Sequence, residues 1–334
     1  MTDEEGALAV AAAFVDGIRS IRPFGGGHIN ETFLVETESG DSVLQRLNTT
    51  VFTDPDAVMR NIRAVDSHLR GRLVPELVAT PDGRSMVHAS TGSWRMWRRV
   101  SGAEPVTDPT PATGASAGEL LGRFHTLVAD LDPGALVETL PNFHDPARRL
   151  EALHRVIAAD PHDRARSVRS EIDELLAAAP LADRASALTR AVPCRVAHFD
   201  AKLDNVLFRD GEAVCLVDLD TVMPGAWFWD VGDLARTAAT LAREDDPEHS
   251  TIIPELYDAV LDGYRCTASP VLGPVEVEAL DDAGAIVTFE QALRFLTDCL
   301  EGDVYYRTSR PDQNLDRTRA QLRLLASMPT TVRW

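Results

Sequence analysis

Apolar and polar positions change rhythm twice along this chain. Residues 5–19 carry apolar side chains at helical spacing and predict a short amphipathic helix. From Ile21 to Leu47 the spacing alternates instead. IRPF, TFLVET and SVLQRL are separated by GGGHINE and ESGD, which predicts three strands joined by glycine-containing turns. A helix should follow, with Asp54 as N-cap, Pro55 in its first position and Val58, Ile62, Val65 and Leu69 along one face. Further strands are expected near residues 76–80, 84–88 and 94–100. The Pro-, Thr-, Gly- and Ser-rich stretch 101–113 reads as a linker. Beyond it helical patterning dominates, over 118–129, 146–158, 168–178, 186–191, 231–244, 253–264, 275–300 and 314–326. Short β-rich pieces over 195–220 interrupt it. The pattern predicts an α+β protein of two lobes: a small antiparallel-sheet lobe over 1–100 and a larger, mainly helical lobe over 101–334. No internal repeat or low-complexity segment is present.

A length of 334 residues suits two such lobes. With 44% hydrophobic and 25% charged residues the composition is that of a soluble globular protein. No apolar run approaches the ~20 residues of a membrane span. The acidic start MTDEEGALAV lacks the basic region of a secretory signal, so a cytoplasmic protein is expected. Cys194, Cys215, Cys266 and Cys299 are scattered without CxxC spacing, which argues against a disulfide framework or a zinc site. A formal net charge of −19 disfavours nucleic-acid binding, because such a surface repels a phosphate backbone. It tolerates cationic substrates without requiring them. Of the 33 Lys+Arg residues only one, Lys202, is lysine. That marks a position where a compact ammonium is preferred to a planar fork.

Lys202 lies in the most informative stretch of the chain. The order His198-x-Asp200-x-Lys202-x-x-Asn205 leads into an apolar strand, a turn at Gly211, and a second apolar strand that ends on Asp218-Leu-Asp220. Phosphoryl transfer from ATP needs a carboxylate to take the proton of the attacking hydroxyl. It needs oxygen ligands for Mg²⁺ and a cation beside the transferred group. A hairpin between Asn205 and Asp218 would bring two hard-metal ligands to one spot. Asp200 is therefore the expected base and Lys202 the catalytic cation, placed where protein kinases also carry a lysine. Asn205 and Asp218 are expected Mg²⁺ ligands. His198 is expected to orient the loop, and Asp220 to be a second ligand or a loop-supporting hydrogen bonder.

For the nucleotide, Gly25, Gly26 and Gly27, followed by Asn30, sit between the first two strands where backbone can approach phosphates. No GK[ST] follows, so this is not a Walker A loop. Arg46 falls where kinases place a phosphate-pairing lysine, with no glutamate on the next helix to pair it; Asp56 and Asp66 are the nearest acids. Trp97 to Val100 would form the hinge that lines the adenine. Asp230 and Asp233 precede a predicted helix and read as caps for it.

Phe24–Asn30, Leu44-Gln-Arg-Leu-Asn-Thr-Thr50, Phe143-His-Asp-Pro-Ala147, His198–Asn205, Val217-Asp-Leu-Asp-Thr-Val-Met-Pro224 and Asp298–Arg307 together resemble the N-acetylhexosamine 1-kinases. These are a branch of the aminoglycoside-phosphotransferase and choline-kinase superfamily. The resemblance runs from Phe24 to about Leu324. It implies a protein-kinase-like bilobal fold, ATP and Mg²⁺, and an N-acetylhexosamine phosphorylated on its anomeric hydroxyl. It also implies sugar contacts from His28, Tyr306 and Arg307 beside Asp200. An aminoglycoside, choline, homoserine or another sugar remains an alternative acceptor, since fold does not select among them. A nucleotide-binding pseudokinase would be expected to lack one of Asp200, Asn205 and Asp218.

Overall fold

The computed structural model describes residues 3–25 and 29–334. Helix α1 (Asp3–Ala11) is shorter than its apolar pattern suggests. Gly17, in the left-handed region at φ +66°, turns the chain into β1 (Ile18–Pro23). Strands β2 (Glu31–Thr37) and β3 (Ser42–Arg46) follow, then α2 (Pro55–Leu69), β4 (Leu77–Val78), β5 (Val87–Ala89) and β6 (Gly92–Arg98). The Asp54 carboxylate caps α2 by accepting from the Ala57 amide. The sheet is antiparallel in the order β1-β2-β3-β6-β4, with β5 also paired to β6.

The register of β3 against β6 decides what the sheet can offer a ligand. Leu44 faces Met96, Gln45 faces Arg95, and Arg46 faces Trp94. Side chains alternate between faces along a strand, so these pairs divide into two sets. Leu44, Trp94 and Met96 join Phe33 and Val35 in a small core closed by Ala7, Val10, Ala11 and Phe14. Gln45, Arg95 and Trp97 lie on the opposite face, toward the rest of the molecule.

Helix α3 (Pro111–Val128) begins inside the stretch expected to be a linker. Thr110 and Thr113 form a reciprocal capping box, and Pro111 occupies the first turn, so the end of that stretch is a helix start. Helices α4 (Pro146–Ala159), α5 (Arg169–Ala177) and α6 (Pro180–Ala191) come next. The short strands β7 (Arg195–Ala197), β8 (Val206–Arg209), β9 (Glu212–Leu216) and β10 (Met223–Gly225) pair as two hairpin-like ladders, β7 with β10 and β8 with β9. Helices α7 (Trp227–Ala238), α8 (Pro254–Ala268), α9 (Pro274–Leu300) and α10 (Gln313–Ser327) complete the chain. Most of α9 is buried, as expected of a central helix in its lobe. The result is an α+β molecule of two lobes. Among the described residues no helix is long and apolar enough to cross a membrane.

Candidate active site

A cavity of about 530 Å³ opens between the lobes. The sheet lobe contributes Asn30, Thr32 and Gln45. The helical lobe contributes Asp200, Lys202, Asn205, Asp218 and Asp220 on one side, and Phe143, His144, Gln291, Arg294, Tyr306 and Arg307 on the other. The sequence-predicted catalytic and metal residues, His198 apart, therefore share one space.

The loop that leaves β7 is held from behind. Phe199 stands at φ +66°, in the left-handed region that a bulky residue adopts only under constraint. The constraint comes from Asp230, which accepts the amides of His198 at 2.7 Å and Phe199 at 2.6 Å. Gly225 leaves room for the ring, since a Cβ there would lie 2.0 Å from Phe199 Cζ. Asp230 also accepts from His125 Nε2 at 2.9 Å, and His125 Nδ1 accepts the Tyr264 hydroxyl at 2.9 Å. Burial drives the His125 pKa below its ordinary value against the pull of Asp230, so this imidazole is neutral. His198 is fully buried and does not line the cavity. Its Nε2 donates to the Val217 carbonyl and its Nδ1 accepts the Asp200 amide, at 3.0 and 3.3 Å. It ties the Asp200 loop to the strand end that carries Asp218, which is a positioning geometry.

Asp230 and Asp233 do not cap α7. The helix starts earlier than expected, at Trp227, and Asp230 points back to the catalytic loop. Asp233 pairs with buried Arg236, Nη2 to Oδ1 at 2.6 Å. Although burial opposes its ionisation, that partner and Lys202 hold its pKa low.

At the cavity wall Lys202 Nζ lies 2.8 Å from Asp200 Oδ2. Burial opposes charge on this lysine, but Asp200 and Asp218 outweigh it and raise its pKa. Asn205 Nδ2 donates to the Asp200 carbonyl at 2.7 Å and to Asp200 Oδ2 at 2.9 Å. Both amide hydrogens are thereby used, and Oδ1 is the atom left for a cation. Asp218, at φ +64°, is crowded by protein yet open to the cavity. Desolvation, then Asp220 and Asp200, push its pKa up. Water reaching it through the cavity moderates that shift, and a cation at this point would reverse it. Among the described residues no three His, Cys, Asp or Glu side chains form a ready-made metal cage. The donors present are one amide oxygen and one carboxylate, which suit a hard divalent ion that completes its shell with phosphate and water.

Asp220 is less available than expected for a metal ligand. One oxygen forms an ion pair with Arg95 Nη1, and the other accepts from Asn30 Nδ2 at 2.6 Å. Arg46 is displaced from its expected role by the two-residue period of the strand. It lies on the face that carries α1, pairs with Glu31, donates to the Thr91 carbonyl and covers the Trp94 ring. The cavity-side residue of β3 is Gln45, and the buried cation beside it is Arg95, which sequence patterning did not single out. Trp97 is also turned inward, donating to Gln45 Oε1 at 2.9 Å, and neither it nor Val100 lines the cavity. Gly25 adopts φ +77°. Gly26, Gly27 and His28 lie outside the described residues.

The far half of the cavity contains both residues expected to face an acceptor and others that were not. The Asp298 carboxylate accepts the amides of Val304, Tyr305 and Tyr306, which fixes the segment that carries Tyr306 and Arg307. Arg294 stands between two rings, 5.2 Å from Phe143 and 5.8 Å from Tyr306. Among the described residues no carboxylate lies within ion-pairing distance of its guanidinium. His144 is packed flat against Trp229 at 4.7 Å. Its Nδ1 meets Glu290 at 2.6 Å and its Nε2 donates to the Phe199 carbonyl at 3.1 Å. The Phe143-His-Asp and Asp298–Arg307 segments had signalled this region; Arg294 and Glu290 sit unmarked in the long apolar pattern of α9.

A profile of the phosphotransferase enzyme family matches residues 20–276, more than half of the chain. Among solved structures, the chain is similar to amicoumacin kinase in complex with AMP-PNP, Ca²⁺ and Ami, with 16% identity and TM-score 0.64 over 99% of this chain and 96% of that one. It is similar to an aminoglycoside phosphotransferase from Alicyclobacillus acidocaldarius, with 14% identity and TM-score 0.65 over 96% and 94%. It is also similar to a choline kinase from Cryptosporidium parvum, with 12% identity and TM-score 0.61 over 96% and 94%. At these identities the likeness establishes a shared kinase-like fold.

Proposed function

The chain belongs to the phosphotransferase enzyme family, and from that premise we propose that it transfers the γ-phosphoryl group of ATP to the anomeric hydroxyl of an N-acetylhexosamine. Phosphoryl transfer to a hydroxyl acceptor is the family's chemistry. The observation that carries the reading is the meeting of Asp200, Lys202, Asn205 and Asp218 in one cavity whose far half is edged by aromatic rings and by the Arg294 guanidinium.

Asp200 then accepts the proton of the attacking hydroxyl as the oxygen–phosphorus bond forms and ADP leaves. Lys202, poised on Asp200, shifts its charge to the transferred group. Asn205 Oδ1 and the Asp218 carboxylate hold Mg²⁺. The ion, when bound, neutralises charge on the phosphate oxygens. His198, Asp230 and His144 fix the backbone that carries Asp200, so the base does not need to reorganise during the reaction.

The acceptor class follows from Arg294. A choline cage needs the faces of aromatic rings, but here a guanidinium already lies over Phe143 and Tyr306. A quaternary ammonium or an aminoglycoside amine entering there would meet a like charge, whereas neutral hydroxyls and an amide carbonyl would find a donor. Tyr306, Gln291 and Arg307 add polar atoms around the same space. The Gln45-Arg46-Leu47-Asn48 and Asp218-Leu-Asp220-Thr221 segments support the hexosamine branch within that class. A cytoplasmic setting, where ATP is available, suits this chemistry.

The test is an acceptor panel with ATP and Mg²⁺: GlcNAc, GalNAc, glucose, glucosamine, choline, homoserine and kanamycin, read by ADP release and phosphorus NMR. An anomeric phosphate on an N-acetylhexosamine is the expected product. Turnover on choline or kanamycin alone would discard the acceptor assignment and leave the phosphotransfer site standing.

A further inference from the structure

Asp220 is buried where the two lobes meet. Its side chain is 3% exposed, and both carboxylate oxygens are engaged by residues of the other lobe. Arg95, 1% exposed at its side chain, makes an ion contact through Nη1, without the alignment of a hydrogen bond. The rest of the Arg95 fork is fixed in the sheet. Nε and Nη2 both donate to Gln45 Oε1, at 3.1 and 2.9 Å, and the guanidinium lies 5.3 Å from the Trp97 ring. Asn30 completes the arrangement. It donates to Asp220 and accepts the Asn48 amide at 3.0 Å through its own Oδ1. Asn30 immediately precedes β2 and follows the glycine run, while Asn48 begins the link from β3 to α2.

We infer that Asp220 is an interlobe anchor rather than a metal ligand: Arg95 and Asn30 draw it toward the sheet lobe, and through Asn30 it fixes the start of β2 against the link from β3 to α2. Two physical points support this. A buried arginine needs a compensating charge, and Asp220 is its sole carboxylate contact among the described residues. A carboxylate that left Arg95 to coordinate a cation would strand that charge, at the cost of an uncompensated buried ion. Asn205 and Asp218, whose donor atoms carry no such obligation, remain as the cation's protein ligands. Asp220 thus acts on the nucleotide through the placement of β2 and the sheet lobe, and Arg95 and Asn30 are positioning residues.

This role presupposes the nucleotide-binding reading above, and the two fail differently. Three variants of the full chain are compared: Asp218→Asn, Asp220→Asn and Asn30→Ala. Mn²⁺ affinity is measured by electron paramagnetic resonance at saturating ADP, ATP KM and kcat by steady-state kinetics, and backbone exchange by hydrogen–deuterium mass spectrometry of a peptide spanning residues 29–33. An anchor predicts that Asp220→Asn and Asn30→Ala raise ATP KM about tenfold and speed exchange in that peptide without nucleotide. It predicts that Mn²⁺ affinity stays within about threefold, while Asp218→Asn loses more than about tenfold in Mn²⁺ affinity. Loss of Mn²⁺ affinity in Asp220→Asn as large as in Asp218→Asn would overturn the inference. So would unchanged exchange in Asn30→Ala, a half-buried site whose variant decides the question if Asp220→Asn does not fold. Failure of the native protein to bind ADP at all would instead overturn the proposed function.

Discussion

At the scale of single residues the proposed mechanism separates groups that react from groups that hold. Asp200 lines the cavity and, among the described residues, receives only Lys202 and Asn205 at its carboxylate. Asp200→Asn should lower kcat by roughly 10²–10⁴, the usual worth of a positioned base, while ADP affinity measured by calorimetry changes little. A comparable loss of ADP binding would show that the residue serves affinity. His125 lies one layer deeper and gives a prediction in pH. Burial depresses its folded pKa below the ordinary 6.5. A depressed pKa means that the unfolded chain binds the proton more readily. The stability tied to the neutral ring is then complete above about pH 6.5 and is lost as pH falls below it. Between pH ~7.5 and ~5.5, urea midpoints of the native protein should therefore fall further than those of His125→Gln. Parallel slopes for the two would remove His125 from the account.

At the scale of elements the closest packing is between α3 and α8, and it depends on small residues. A Cβ at Gly118 would lie 2.1 Å from the Val260 carbonyl oxygen, and one at Gly263 would lie 2.1 Å from the Ala115 carbonyl oxygen. Both obstacles are backbone, which cannot rotate away. Gly118→Ala should thus destabilise by about 1–3 kcal/mol even though alanine favours a helix, because overpacking outweighs propensity. Thermal denaturation would show it, and a stabilised variant would mean that the helices can separate at little cost. This contact also explains why the start of α3 was not legible in the sequence. The apolar rhythm becomes clear only from Gly118 onward, whereas the first turn is specified by the Thr110–Thr113 cap and by small residues that read as linker. Elements whose periodicity is carried by large side chains, such as α2 and α9, fall close to where their patterns place them. The catalytic loop was legible because its chemistry is contiguous in the chain. Arg95, Arg294 and the His144–Glu290 pair were not, since each takes its place only by meeting a partner distant in the chain. Arg46 shows the cost of one register step: beside Gln45 in the sequence, it is on the opposite face of the sheet.

At the scale of the whole molecule two electrostatic influences compete over the acceptor. The net charge of −19 draws cations toward the surface, while Arg294 opposes them inside the cavity. Range decides between the two. The Debye length is ~10 Å at 0.1 M salt, so remote surface acids are screened while a guanidinium in contact with the acceptor is not. A polycation such as kanamycin should accordingly associate at low salt without turnover, and release by about 0.3 M salt. The kcat/KM for a neutral N-acetylhexosamine should change less than about twofold over the same range. Removing the local charge should invert the preference. Arg294→Leu leaves Phe143 and Tyr306 as bare rings, and it should lower kcat/KM for the neutral sugar by about tenfold or more while admitting choline. Kinetics of both proteins on both acceptors at two salt concentrations separate the contributions. If salt governed the neutral acceptor as strongly as the cationic one, selection would lie in the field of the surface. If Arg294→Leu left the preference intact, selection would lie in the segment that carries Tyr306 and Arg307, which Asp298 fixes to the end of α9.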